Sequence, residues 1–165
     1  MMSVAEVNGM SAENFVAAFG DVAEHSPWVA AEAAKQRPYA SRETMIEAFT
    51  SATMTAGQDA QLALIRAHPD LATRARLTDD SSREQKGAGL DTLTAEEFQL
   101  FNALNNAYKS RFGFPFIFAV KGATKHQILA SFEERVGRDK EEEFRTALQQ
   151  VCRIFRFRIE DRVSP

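Results

Sequence analysis

The 165-residue chain is poor in several residue types that usually announce a protein's class. Its one cysteine, Cys152, cannot form an internal disulfide, which fits a reducing compartment. It lies in an apolar helical pattern with no histidine nearby and reads as a small hydrophobe, not a nucleophile. The three histidines, His25, His68 and His126, are far apart and lack HxxxH-type spacing, so no metal site is expected. No glycine-rich phosphate loop and no GxSxG elbow occurs, which argues against a nucleotide cofactor and a serine hydrolase of that type. Neither charge sign dominates: 20 Lys and Arg stand against 23 Asp and Glu, a net charge of -3. That balance offers nucleic acid or an anionic membrane no basic footprint. No apolar run reaches the ~18–20 residues of a membrane span. The start, MMSVAEVNGM, has no secretory pattern, and the end, DRVSP, is not a peroxisomal address, so a cytoplasmic protein is expected.

What the chain has is helical periodicity and phenylalanine, thirteen residues of it. Ser11 can cap a helix carrying Phe15, Val16 and Phe19, which Gly20 would close in a left-handed conformation. Ser41 opens a pattern with Met45, Ile46 and Phe49 that Gly57 interrupts, and Leu62 and Ile65 follow toward His68-Pro69. Thr94 with Glu97, and Thr124 with Gln127, make capping boxes. The first leads into Phe98, Phe101, Leu104 or Asn105, and Tyr108. Asp139 can cap a last, long helix with the stripe Phe144, Leu148, Val151 and Phe155. No alternating run supports a hairpin. The expectation is an all-α protein, one compact domain over residues 1–165 with six to eight helices and a flexible stretch over residues 1–10.

Polar chemistry sits oddly in three places. In AHPDL (residues 67–71) the proline disfavours helical geometry at His68, so the imidazole falls at a helix end and can face a cleft or the last free carbonyls. Asp70 can then cap the next turn or orient the ring. In SSREQKGAGLD (residues 81–91), Ser81 and Glu84 make a capping box, placing Glu84 and Gln85 in a first helical turn, either as a plain cap or as a pocket rim. In the last helix, at ~100° per residue, Arg158 lies beside the apolar stripe, while Arg153 and Arg156 point to solvent. A guanidinium there needs an anionic partner or must extend its head to water. The remaining puzzle is RFGFPFIFAVKG (residues 111–122), in which Gly113 and Pro115 oppose helix, and which has no second strand to pair with.

Together HSPWVA (residues 25–30), RPYAS (37–41), LIRAHPDLA (64–72), SSREQKGAGLD, LNNAYKSRFGFPFIFAVKG (104–122) and IFRFRIEDRV (154–163) resemble the signature blocks of the 2-oxo-4-hydroxy-4-carboxy-5-ureidoimidazoline (OHCU) decarboxylase family. The resemblance implies an all-helical enzyme of urate breakdown that forms (S)-allantoin and CO2 with no metal and no organic cofactor. It implies His68 and Glu84 as catalytic residues, and Pro69, Ser81, Gln85, Phe114, Phe116, Ile117 and Arg158 as substrate-binding ones. Arg156, two residues from Arg158, is the competing choice for the substrate arginine, and the helical projection favours Arg158. Phe157 and Ile159 stand where the family usually has leucines around that arginine. The expected partner is a small ureidoimidazoline, with no nucleic acid or membrane, and the resemblance is compatible with a homodimer. The step that supplies the substrate would fall to a separate protein. Two rival readings are a hydrolase of ureido compounds using His68, Asp70 and Glu84, and a helical binding module with an apolar groove.

Overall fold

The computed structural model describes residues 1–73 and 77–165. Among them are nine α-helices, one 3-10 turn and a single isolated bridge between Met2 and Val163. The all-α expectation holds. The two helices beyond the seven legible segments are short: α1 (Val4–Asn8) and α3 (Trp28–Ala34). Contacts group the chain into two compact units, Met1–Ala67 with Val151–Pro165, and His68–Gln150.

The first unit contains α1, α2 (Ala12–Phe19), the 3-10 turn Gly20–Val22, α3, α4 (Arg42–Met54) and α5 (Gln58–Arg66). The end of α9 (Lys140–Glu160) belongs to it as well. Ser3, Ser11 and Ser41 cap α1, α2 and α4, each accepting a backbone N–H three residues on. Gly20 is not the left-handed stop that was expected. Its φ is -61°, and the chain tightens into the 3-10 turn instead of reversing. The core is aromatic: Phe15 lies 5.1 Å from Phe19 and 6.2 Å from Phe49, and Phe49 meets Phe155 edge-on at 6.1 Å. Arg37 of the RPYAS block ties this core to the N-terminal segment, donating to the carbonyls of Val7 (3.0 Å) and Met10 (2.7 Å). Its guanidinium also sits 4.8 Å over the Phe15 ring. Cys152 is half-buried, and burial pushes its thiol up to about 11, in keeping with a packing role.

The second unit contains α6 (Asp79–Gly87), α7 (Ala95–Phe112), α8 (Lys125–Arg135) and the first half of α9. Both expected capping boxes, Thr94–Glu97 and Thr124–Gln127, are present. The buried residues of α7 are Phe101, Asn105, Tyr108 and Phe112, spaced at three and four. Of the two candidates on that stripe, Asn105 is buried and Leu104 only partly so. Gly113, at φ 78°, ends α7 and donates its N–H to the Lys109 carbonyl. Among the described residues no helix is long and apolar enough to cross a membrane.

Candidate functional site

His68 follows directly on the end of α5, where Pro69 prevents further helix. Its side chain is buried, at 8% exposure. The turn after it is held at three successive residues. Asp70 pairs with Lys109 at 2.6 Å, Leu71 accepts from Asn105 Nδ2 at 2.9 Å, and the N–H of Ala72 donates to Gln85 Oε1 at 2.9 Å. Asp70 therefore latches to α7. Ala72 has φ 58°, a left-handed conformation that costs a non-glycine residue roughly 1–2 kcal/mol. Its bond to Gln85 and its burial hold it there.

The cap of α6 differs from the sequence reading. Thr78 is the N-cap and accepts from the N–H of Ser81, so the helix starts one turn before the expected Ser81–Glu84 box. Thr78 carries the same hydroxyl as Ser81, and the acidic pair Asp79 and Asp80 behind it suits the positive helix start. Glu84 thus lies in the second turn, and its role is not capping. Ser81 and Gln85, four apart, are both buried, and Glu84 is half-buried beside them. One end of the Gln85 side chain is committed to Ala72, so this residue joins α6 to the His68 turn.

The segment over residues 114–117 has no regular secondary structure and is buried throughout. Its rings face the core of the unit. Phe114 lies 5.9 Å from Tyr108 and 6.0 Å from Phe144, and Phe116 stacks on Phe132 at 3.8 Å with 10° between the planes. Its backbone is fixed from outside: Arg135 donates to the Ile117 carbonyl at 2.6 Å, and the N–H of Ala119 donates to Gln150 at 3.0 Å. Arg135 is in turn bonded to Glu143 at 2.8 Å, and Tyr108 donates to the same carboxylate oxygen at 2.6 Å. Burial first, and the Glu143 carboxylate second, push the Tyr108 hydroxyl well above the usual phenol range. Helix α7 therefore supports both the His68 turn, through Asn105 and Lys109, and this apolar segment, through Tyr108.

Arg158 belongs to the first unit and is 2% exposed. The anionic partner it needs is Glu24, 1% exposed, whose carboxylate accepts from the guanidinium at 2.7 Å, and Val22 adds a carbonyl at 3.1 Å. Glu24 escaped the sequence reading. It sits in a non-helical stretch, beside His25 at φ 45°, where no periodicity marks a buried position. Arg156 is partly exposed and pairs with Glu43 and Glu160, which agrees with the helical projection.

The remaining candidates, His68, Pro69, Ser81, Glu84, Gln85, Phe114, Phe116 and Ile117, fall in the second unit. A cavity of about 260 Å³ in that unit is lined by Ala72, Thr73, Leu90, Asp91, Thr94 and Phe98 among others, and none of the candidates lines it. Among the described residues no group of three His, Cys, Asp or Glu side chains is arranged to hold a metal.

A family model described as OHCU decarboxylase matches residues 8–160. The chain belongs to the OHCU decarboxylase family. It is 42% identical over 163 residues to the 2-oxo-4-hydroxy-4-carboxy-5-ureidoimidazoline decarboxylase of Haloferax volcanii, an alignment covering 99% of this chain and 97% of that one. It is 39% identical to the uric acid degradation bifunctional protein of Bacillus subtilis, covering 99% of this chain and 33% of that protein. Among solved structures, (S)-allantoin synthase superposes with a TM-score of 0.81 at 31% identity, over 98% of this chain. The chain spans about half, 54%, of that structure's length. Both the family and the all-helical architecture expected from the sequence blocks are thereby borne out. Enzymes of this family are decarboxylases, that is, carboxy-lyases.

Proposed function

We propose that this protein decarboxylates OHCU to (S)-allantoin and CO2 in urate degradation, with His68 and Glu84 moving protons and Arg158 binding substrate. The observation that carries the reading is the match across residues 8–160, in which the blocks bearing these three residues occur in order. The geometry supports it. His68 is a buried imidazole on a turn anchored at three consecutive residues, and Glu84 lies on the helix that supplies one of those anchors.

In OHCU the carboxylated carbon also bears a hydroxyl and adjoins a C=N bond. When the bond to CO2 breaks, its electron pair moves into that C=N, whose nitrogen takes a proton. The hydroxyl then loses its proton as a carbonyl forms, and the adjacent carbon gains one on a single face. That last protonation sets the S configuration. The enzyme must hold the carboxylate out of the ring plane, so that the breaking bond aligns with the π system. It must also shuttle protons between hydroxyl, nitrogen and carbon. In this reading His68 delivers the proton to carbon and Glu84 takes the hydroxyl proton. Ser81, Gln85, Pro69, Ile117 and the backbone of residues 114–117 shape the pocket. Since the rings of Phe114 and Phe116 are committed to the core, these two residues act through backbone and as support.

A chiral assay on freshly generated OHCU tests the proposal. Wild type should accelerate the appearance of optically active allantoin with release of CO2 and no ammonia. His68→Ala should leave only the slow, racemic background, and retention of most of the rate would remove His68 from the mechanism. Arg158→Ala should raise KM more than Arg156→Ala does, and the reverse order would transfer the binding role to Arg156.

A further inference from the structure

We infer that Asn105 is a positioning residue for His68, holding its turn in register through the Leu71 carbonyl. The inference deepens the decarboxylase reading and rests on it. The buried stripe of α7 is otherwise aromatic, with Phe101, Tyr108 and Phe112. An amide at its centre is an expensive choice, because buried polar atoms must be hydrogen-bonded or lose their solvation uncompensated. Asn105 is 3% exposed, and its Oδ1 has no hydrogen-bond partner among the described residues. A leucine of similar size would fill the position without that cost. The return is one bond, from Nδ2 to the carbonyl of Leu71 at 2.9 Å.

That bond lands where it matters for His68. One turn of α7 further on, Lys109 holds Asp70, and Gln85 holds the left-handed Ala72 from the other side. Residues 70, 71 and 72 are thus all anchored. Between them and His68 stands only Pro69, whose ring locks one of its two backbone torsions. Little freedom remains for the imidazole's backbone, which suits a group whose displacement by about 1 Å can cost on the order of 100-fold in rate. Of the two α7 anchors, the Lys109–Asp70 pair is substantially exposed and screened by water, so the buried Asn105 bond is the stiffer.

The test uses the full-length protein, fresh OHCU and the chiral assay. Asn105→Leu keeps size and removes the donor, while Asn105→Gln keeps the donor and overfills the site. If Asn105 merely packs, kcat will follow thermal stability and Asn105→Leu will outperform Asn105→Gln. The positioning role instead expects Asn105→Leu to melt at or above the temperature of Asn105→Gln yet show the lower kcat. That kcat should be at least tenfold below wild type, with KM within about twofold. Asn105→Ser, too short to reach Leu71, should show the same kcat loss and covers the case of a leucine variant that does not fold. Asn106→Leu, on the exposed side of the same helix, should match wild type. Wild-type kcat in Asn105→Leu or Asn105→Ser, or a kcat order that follows stability, overturns the inference. A wild-type protein that leaves OHCU to its spontaneous decay overturns the decarboxylase reading itself, and the inference falls with it.

Discussion

At the scale of single residues, the Arg158–Glu24 ion pair ties the end of α9 to the non-helical stretch around residue 24. Arg158 stands at the edge of an apolar stripe, where a helical projection nominates it and requires either an anion or a head that reaches water. The anion lies 134 positions away, in a stretch with no periodicity, and only the fold could supply it. Both side chains are almost wholly buried, which makes the pair a burden if broken and little gain if replaced whole. Glu24→Ala should therefore destabilise the protein by about 3–5 kcal/mol, read as a fall in the urea midpoint. Glu43→Ala removes one of the two partners of the partly exposed Arg156 and should lower the midpoint far less. Equal midpoints for the two variants would mean that the burial of the Arg158 pair has no energetic consequence. His68 was equally legible, because the proline after it fixes a helix end. Its neighbours' anchors were not, since Asn105 and Gln85 are indistinguishable by type from exposed amides.

At the scale of elements, capping was the most readable feature and also the source of two errors, at Gly20 and at the start of α6. Thr94, Thr124, Ser11, Ser41 and Asp139 all cap as their positions suggest. At α6 two hydroxyls compete, and the one preceding two aspartates prevails. The pattern Ser81-x-x-Glu84 is thus not the cap of α6, whose N-cap is Thr78. The segment after α7 was the harder case, since seven consecutive apolar or proline residues, 114–120, carry no period. Its conformation is imposed by Arg135, which grips the Ile117 carbonyl while its guanidinium lies 4.3 Å over the Phe116 ring. Arg135 and Glu143 are 4% and 0% exposed, so their removal should not be additive. Arg135→Met alone leaves the buried Glu143 carboxylate with only the Tyr108 hydroxyl and the more distant Arg138, 3.7 Å away, and should cost up to about 3–5 kcal/mol. Adding Glu143→Leu should restore much of that loss, leaving the missing grip on Ile117, the missing acceptor for Tyr108 and the missing contact with Arg138. A double variant less stable than Arg135→Met would show that Glu143 is stabilising without its arginine.

At the scale of the whole molecule, the helical class and the family were readable from end to end, whereas the division into two units was not. The apolar stripe of α9 runs unbroken from Phe144 to Phe155, yet the grouping of contacts changes at Gln150 and Val151. Periodicity reports that a face is buried and is blind to which neighbours bury it. Charge acts on the molecule as a whole, and it predicts the response to acid. The Lys125 ammonium first, then the Thr94 backbone N–H, hold the Glu97 carboxyl down at about 2, and Arg156 likewise lowers Glu43. A carboxylate whose folded value lies below its unfolded one contributes stability that is present above about 4.5 and is lost as pH falls toward the folded value. The window of loss is therefore pH 4.5 to 2, in which the 20 Lys and Arg also lose their counter-charges. Glu97→Gln keeps an acceptor for the Thr94 N–H and removes only the charge, so it isolates the effect. The variant should melt below wild type at pH 7, and the gap should narrow steadily between pH 4.5 and 2. It should also shrink in high salt, because both partners are partly exposed. A gap that stays constant down to pH 2 would mean that Glu97 stabilises the fold through its cap alone and that its ion pair with Lys125 contributes nothing.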